Sequence, residues 1–402
     1  MSLIKKAAGF IIGRISKVKQ SVEEKMYYAA EGKGNINTNK ISQDTTITHV
    51  CCHKVDNVGD TVLAQCVRKT FEYFMPVNWN LSYVRDEVTQ QSLDTFNRTK
   101  AVVVGGGGLF LPDTNKNVVS GWQWSIPKEY LGEIKCPLMI YSVGYNYFPG
   151  QEPSEFFCEN LTELCRNSAF FGLRNYGSIN KVKELLPEEL REKVVYQPCT
   201  TTLIRKIYGD AVAPKTSSRK VAINMAFDRM DRRFGEDKEL ILKQISVFAK
   251  NLTERGYEVI LVYHTSGDQR MRPYFNAENF RYTEKYLVSS LPDEVLEFYN
   301  SVDLVLGMRG HAQMIPFGLN CEIISMGTHD KMRYFLEDID ALDWYVNLRE
   351  NPEKLSETLM EKFIHIHETD SENTKRRLVE AQEKLWAVTV ENMKAISEFM
   401  QG

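Results

Sequence analysis

Residues 300–336, NSVDLVLGMRGHAQMIPFGLNCEIISMGTHDKMRYFL, decide how this chain is read. A short apolar strand, Asp303 to Gly307, runs into a polar turn carrying Arg309 and His311. A helix near Ala312 to Gly318 follows, then a second strand, Cys321 to Met326, after which Thr328, His329, Asp330 and Lys331 open another helix. Two consecutive strand-to-helix turns thus place Arg309, His311, His329 and Lys331 at strand carboxyl ends, where open α/β sheets bind their ligands.

The same alternation extends upstream. Apolar runs predict strands at 46–52, 79–84, 101–104, 137–142, 169–173 and 193–196, with helical segments between most of them, the first at 61–74. A second series has strands at 220–226, 258–263 and near 281–287, and helices at 237–255 and 292–300. Pro214-Lys215-Thr216-Ser217-Ser218 between the series has the composition of a linker. Strands alternating with helices give largely parallel sheets covered on both faces. The expected organisation is therefore a basic amphipathic helix and linker at 1–44, one Rossmann-like domain at 45–212, a second at 213–350, and helices at 351–402 packing back on both. A ligand cleft between the domains follows from that arrangement.

Composition narrows the function class. The net charge of −3 argues against a nucleic-acid binder without excluding an anionic ligand. Eight cysteines without a CxxC pair fit reduced, buried thiols of a cytoplasmic protein better than a disulfide frame or a zinc site. No apolar run reaches the ~20 residues of a membrane span. Residues 3–22 place Ile4, Ala8, Ile11, Ile15, Val18 and Val22 on one helical face with lysines and an arginine elsewhere. That helix suits docking on its own protein first, with attachment to the anionic inner face of a membrane, or to a partner, as the alternative.

Several stretches carry candidate chemistry. In Asp56-Asn57-Val58-Gly59-Asp60, at the exit of the first strand, Asp60 reads either as a helix cap or as a carboxylate that takes a proton from a sugar hydroxyl. Gly105, Gly106, Gly107 and Gly108 directly follow a buried strand, so peptide N–H groups are expected to face a phosphate or carboxylate there. The run is neither a GxGxxG nor a Walker loop, so no nucleotide fingerprint is present. Arg174 ends another strand and offers a rigid fork for such anions, although taken alone it reads as an exposed structural arginine. His311 is the residue type that exchanges a proton near neutrality. Trp122 and Trp124 have flat faces suited to sugar stacking, and suited as well to a hydrophobic lid. His365 and His367 lack further ligands nearby and read as surface histidines.

Taken together, the stretches resemble the polysaccharide pyruvyl transferase family. The resemblance covers about residues 45–345 and rests on Asn57-x-Gly59-Asp60, the glycine run, Ser142-Val143-Gly144, Arg174-x-x-x-Ser178, and Arg309-x-His311-Ala312 with Lys331 downstream. It departs at Gly310, where the family usually has leucine. The resemblance implies a GT-B-like fold of two doubly wound domains around a cleft. It also implies transfer of pyruvate from phosphoenolpyruvate, as donor substrate with no metal or cofactor, to a sugar of a surface polysaccharide or its lipid-linked precursor. Arg174 and Arg309 would bind the donor and His311 would be the general acid, with Asp60 as base. Asn57, Ser178, His329 and Lys331 would belong to the same substrate site. A glycosyltransferase using a nucleotide-sugar and a non-catalytic sugar- or anion-binding relative are the competing expectations.

Overall fold

The computed structural model describes residues 45–53, 57–112, 118–148, 150–328 and 330–401. The expected basic helix at 3–22, the linker after it and His329 lie outside the described residues, as do the side chains of Asp330 and Lys331.

Among the described residues, twelve strands form two six-stranded sheets in which every neighbouring pair is parallel. The first holds β1 (Thr46–Cys51), β2 (Asn78–Tyr83), β3 (Ala101–Phe110), β4 (Leu138–Tyr145), β5 (Ser168–Leu173) and β6 (Val194–Tyr196), in spatial order β2-β1-β3-β4-β5-β6. The second holds β7 (Lys220–Asn224), β8 (Glu258–Tyr263), β9 (Thr283–Tyr286), β10 (Leu304–Gly307), β11 (Glu322–Gly327) and β12 (Tyr345–Asn347), in order β12-β11-β10-β7-β8-β9. The short β12 carries no apolar run long enough to announce itself in the sequence. Among the described residues, ten helices of seven residues or more cover the sheets: α1 (Val58–Phe74), α2 (Gln90–Phe96), α3 (Glu155–Asn167), α4 (Tyr176–Leu185), α5 (Lys238–Glu254), α6 (Pro292–Asn300), α7 (His311–Gly318), α8 (Asp330–Asp338), α9 (Leu355–Phe363) and α10 (Ser371–Gln401).

Each strand order reverses direction once. In the first sheet the reversal falls between β1 and β3, and in the second between β7 and β10. Crevices open at the carboxyl ends of strands where the order reverses. The segments leaving β1, β3, β7 and β10 are therefore the ones the fold presents to a ligand.

Two sequence expectations change here. The four glycines are not a turn after a strand, because β3 continues through them to Phe110 and pairs with β4 with a register shift between Gly107 and Phe110. Gly106 and Gly107 take φ of +78° and +97°, which only glycine adopts without strain, and this accounts for the irregularity. The stretch 214–218 is also no free linker. Lys215 Nζ caps the carbonyls at the end of α6, donating to Tyr299, Asn300 and Val302, and the amides of Ser218 and Arg219 donate to the Asp303 carboxylate.

The C-terminal helices return across the molecule. On α10, Leu378, Ala381, Leu385, Met393 and Ile396 are buried at helical spacing. Asn392 Nδ2 donates to the Tyr196 carbonyl at the end of β6, and Gln382 Nε2 donates to the Phe317 carbonyl of α7. One helix thus touches both sheets' lobes. Of the two C-terminal histidines, His365 is exposed, whereas His367 sits against the buried Glu322 carboxylate and is not a surface residue.

Candidate active site

The exits of β1, β3, β4, β5, β7 and β10 converge on a cavity of about 610 Å³, within the ~300–1,000 Å³ typical of small-molecule sites. Its lining includes Asn57, Asp60, Arg85, Gly107, Gly108, Asn146, Arg174, Asp228, Arg229, Arg233, Arg309, Gly310 and His311. Residues from both lobes contribute.

The central pair is His311 and Asp60. His311 opens α7, Asp60 lies in the first turn of α1, and Nδ1 stands 3.7 Å from Oδ1. Asn57, not Asp60, caps α1, since its Oδ1 accepts from the Gly59 amide at 3.2 Å while its Nδ2 donates to Asp60 Oδ2 at 2.9 Å. The cap therefore also aims the carboxylate. Gly59 is required for the approach of the two helices: a Cβ there would lie 2.6 Å from His311 Cβ. On the other side of the ring, Nε2 lies 4.0 Å from the Cys199 sulfur.

Positive charge surrounds this pair. Arg174 is 5% exposed, and its Nη2 donates to Asn146 Oδ1 at 2.9 Å. Its Nε has no hydrogen-bond partner among the described residues. The guanidinium lies where a side chain at residue 144 would be, since a Cβ on Gly144 would meet Nε at 2.3 Å. Burial lowers the Arg174 pKa, opposed by the neighbouring Cys199 and Asp60. An arginine stays charged in proteins, so an anion arriving beside it restores what desolvation cost.

Arg309 is placed differently. Its fork meets Asp268 through Nη2 at 2.6 Å and Asp228 through Nη1 at 3.1 Å. Burial pulls its pKa down, but the hydrogen bond and charge of Asp268 and the charge of Asp228 outweigh this. Asp228 also takes Arg233 at 2.8 Å and Arg229 at 3.0 Å. Burial raises the Asp228 pKa, and Arg233 and Arg309 overcome that, holding it well below the usual carboxylate range. Arg229 adopts a left-handed backbone, φ 54°, a conformation that a side chain other than glycine holds only at some cost. Arg85, which donates through Nε to Gln123 Oε1 at 3.1 Å, completes five cavity-lining arginines against the carboxylates of Asp60 and Asp228. Such a cavity suits a multiply charged anion. Among the described residues no three His, Cys, Asp or Glu side chains gather as a metal site requires.

Of the residues singled out in the sequence, Asn57, Asp60, Gly107, Gly108, Arg174, Arg309 and His311 meet at the cavity. Gly105 and Gly106 do not line it. The Gly105 carbonyl accepts from His49 Nε2, and Gly106 leaves room for Leu63, whose Cγ would lie 2.8 Å from a Cβ there. Trp122 and Trp124 are fully buried in the core of the first lobe, packed with each other and with Phe110 and Phe96, so neither face is open to a sugar. Ser178 is buried and accepts from the Tyr145 amide, tying α4 to the end of β4. His329 and the Lys331 side chain lie outside the described residues, although Met332 in the same first turn of α8 lines the cavity.

Sequence reasoning missed Arg85, Asn146, Asp228, Arg229, Arg233 and Asp268. A signal existed for three of them: Asp228, Arg229 and Arg233 follow β7, one of the two strands flanking the reversal in the second sheet.

The model of one family, polysaccharide pyruvyl transferase, matches residues 57–330. No curated protein sequence matches the chain. Among solved structures, a glycosyltransferase from Rickettsia africae aligns over 89% of this chain and 99% of its own, with TM-score 0.51 and 9% identity. A UDP-GlcNAc 2-epimerase from Methanocaldococcus jannaschii aligns over 79% and 92%, with TM-score 0.48 and 14% identity. At 9% identity the likeness to the Rickettsia structure concerns the two-lobed α/β fold alone.

Proposed function

The chain belongs to the polysaccharide pyruvyl transferase family, and from that premise we propose that it moves pyruvate from phosphoenolpyruvate onto a sugar as a cyclic ketal. The observation that carries this reading is the His311–Asp60 pair, 3.7 Å apart, beside the buried, incompletely bonded Arg174. Phosphoenolpyruvate bears a carboxylate and a phosphate on one carbon, and several fixed cations in a partly dry cavity suit both. Arg174 takes one of these groups, Arg85 and Arg229, which line the same cavity, are assigned to the other, and Lys331 is assigned to the same donor site.

The reaction divides between the two lobes. His311, as imidazolium, gives its proton to the methylene carbon of the donor, which becomes a methyl group. The neighbouring carbon gains oxocarbenium character, and a sugar hydroxyl attacks it while losing its proton to Asp60. A second hydroxyl of the same sugar then attacks that carbon, its proton leaving with the displaced inorganic phosphate, and closes the ketal. The arginines stabilise the leaving phosphate, and removal of water from the cavity strengthens each of these interactions. The acceptor belongs to a surface polysaccharide or its lipid-linked precursor.

The test is mass analysis of a lipid-linked oligosaccharide incubated with the protein and phosphoenolpyruvate, together with assay of released phosphate. Addition of a pyruvate ketal with phosphate release that requires the acceptor is the expected result. Full activity in His311→Ala would overturn the mechanism, and transfer from a nucleotide-sugar but not from phosphoenolpyruvate would overturn the reaction.

A further inference from the structure

The two nitrogens of His311 face different surroundings. Nδ1 points to Asp60, which lines the cavity, whereas Nε2 points to Cys199, which does not and is 2% exposed. Cys199 in turn lies 3.2 Å from the Thr201 hydroxyl, making a buried chain of Nε2, sulfur and oxygen. Tight packing holds this chain in place. Helix α7 rests so close to the Thr201 backbone that a Cβ on Gly318 would lie 2.0 Å from the Thr201 carbonyl oxygen.

Building on the proposed transfer reaction, we infer that Cys199 is a positioning residue for His311, turning Nδ1 to the cavity as the proton-donating atom and partnering Nε2 in both charge states of the ring. A thiol is both a weak donor and a weak acceptor. While His311 is the imidazolium, Nε2–H donates to the sulfur and the S–H turns to the Thr201 oxygen. Once Nδ1 has given up its proton, the neutral ring keeps hydrogen on Nε2, and the same contact to sulfur persists. When Nδ1–H is instead the resting neutral form, favoured by the facing Asp60 carboxylate, the S–H rotates to donate to Nε2 while the Thr201 hydroxyl donates to sulfur. No heavy atom moves between these states. Burial keeps Cys199 a protonated thiol by raising its pKa, against the pull of Arg174, so no thiolate competes with Asp60 for the imidazolium.

The experiment compares Cys199→Ala, Cys199→Ser and Thr201→Val with the parent chain. Ring-nitrogen NMR of histidine-labelled protein, with inorganic phosphate as the anion probe, reads the His311 tautomer independently of turnover. Cys199→Ala is expected to change the balance between protonated Nδ1 and Nε2, and Cys199→Ser to restore it, because a hydroxyl plays both roles. In the phosphoenolpyruvate assay, Cys199→Ala should lower kcat about tenfold, part of the ~10²–10⁴-fold contributed by a general acid, with KM for phosphoenolpyruvate nearly unchanged. Unchanged His311 nitrogen signals in both Cys199→Ala and Thr201→Val would overturn the inference. A parent chain that turns over no phosphoenolpyruvate would instead overturn the proposed reaction and leave the NMR result to decide the role of Cys199. Should Cys199→Ala not fold, Thr201→Val, which removes the hydroxyl that partners the sulfur, is expected to shift the same balance and carries the comparison.

Discussion

Arg174 and Arg309 line one cavity with the same charge, yet their partners differ. Arg309 spends its fork on Asp268 and Asp228. Removing it by Arg309→Ala leaves the fully buried Asp268 without its counter-ion, which costs about 3–5 kcal/mol, and the denaturation midpoint should fall accordingly. Among the described residues Arg174 holds no carboxylate, so Arg174→Ala should change stability little while lowering kcat/KM for phosphoenolpyruvate about 10²-fold, equivalent to ~2.7 kcal/mol of binding to the transition state. Equal destabilisation by both substitutions would refute this division. Gly144→Ala supplies an independent check, because the new methyl occupies the place of Arg174 Nε and should reproduce the catalytic loss without removing any charge. At this scale, Asp60, Arg174 and His311 were legible because each combines a reactive side chain with a strand exit. Arg229 and Arg233 were not, since DRMDRRF reads as a solvated charge run until the order of the strands shows where it lands. The tryptophans misled for the opposite reason: an aromatic near a glycine run suits a ligand and a core equally, and Phe110 and Phe96 made it core.

Strands and helices were largely visible as apolar periods, and the exceptions have physical causes. The glycine run looked like the end of β3 because glycine weakens strands. It continues as strand because larger residues have no room: a Cβ on Gly108 would fall 1.3 Å from Asn146 Nδ2. No pattern within β3 itself announces Asn146, a residue of another segment. The same limit hides the contact between α8 and α4, where the Tyr176 amide donates to Asp338 Oδ1 at 3.2 Å and Gly177 makes room for the Tyr334 ring. Burial pushes the Asp338 carboxyl up to about 7, against the hydrogen bond from Tyr176. In the unfolded chain the group titrates near 4. The folded state thus binds the proton more tightly, so the stabilising contribution is complete below about pH 4 and is lost as pH rises through about 7, at roughly 1.4 kcal/mol per pH unit across that window. Asp338→Asn keeps the acceptor for Tyr176 and removes the ionisation. Its denaturation midpoint should exceed the parent's at pH 8 and match it at pH 4, whereas a constant offset at both values would show that ionisation of Asp338 plays no part.

For the molecule as a whole, the sequence shows two doubly wound lobes but not how they share a core, because periodicity reveals that a face is buried and not what buries it. One apolar cluster contains Phe71, Tyr141 and Phe170 from the first lobe, Met314 and Phe317 from the second, and Leu385, Met393 and Ile396 from α10. Interfaces between domains are commonly polar and permit independent motion; here apolar packing runs through the junction. Buried hydrogen bonds reinforce it, with Gln197 bonded to Thr389 and Asn392 of α10. The lobes should therefore unfold together. Thermal denaturation followed by far-ultraviolet circular dichroism and by tryptophan fluorescence is expected to give one coincident transition. Deleting residues 371–402 exposes the partners of the buried α10 side chains, of which Leu378, Leu385, Met393 and Ile396 are each worth about 1.5–3 kcal/mol, a sum comparable to the ~5–15 kcal/mol that holds a typical protein folded. The truncated chain should lose cooperative unfolding and, with it, the His311–Asp60 approach that depends on α1 and α7 being held together. Two separated transitions in the intact chain, or an unchanged midpoint after truncation, would show that each lobe folds on its own and that α10 merely lies across them.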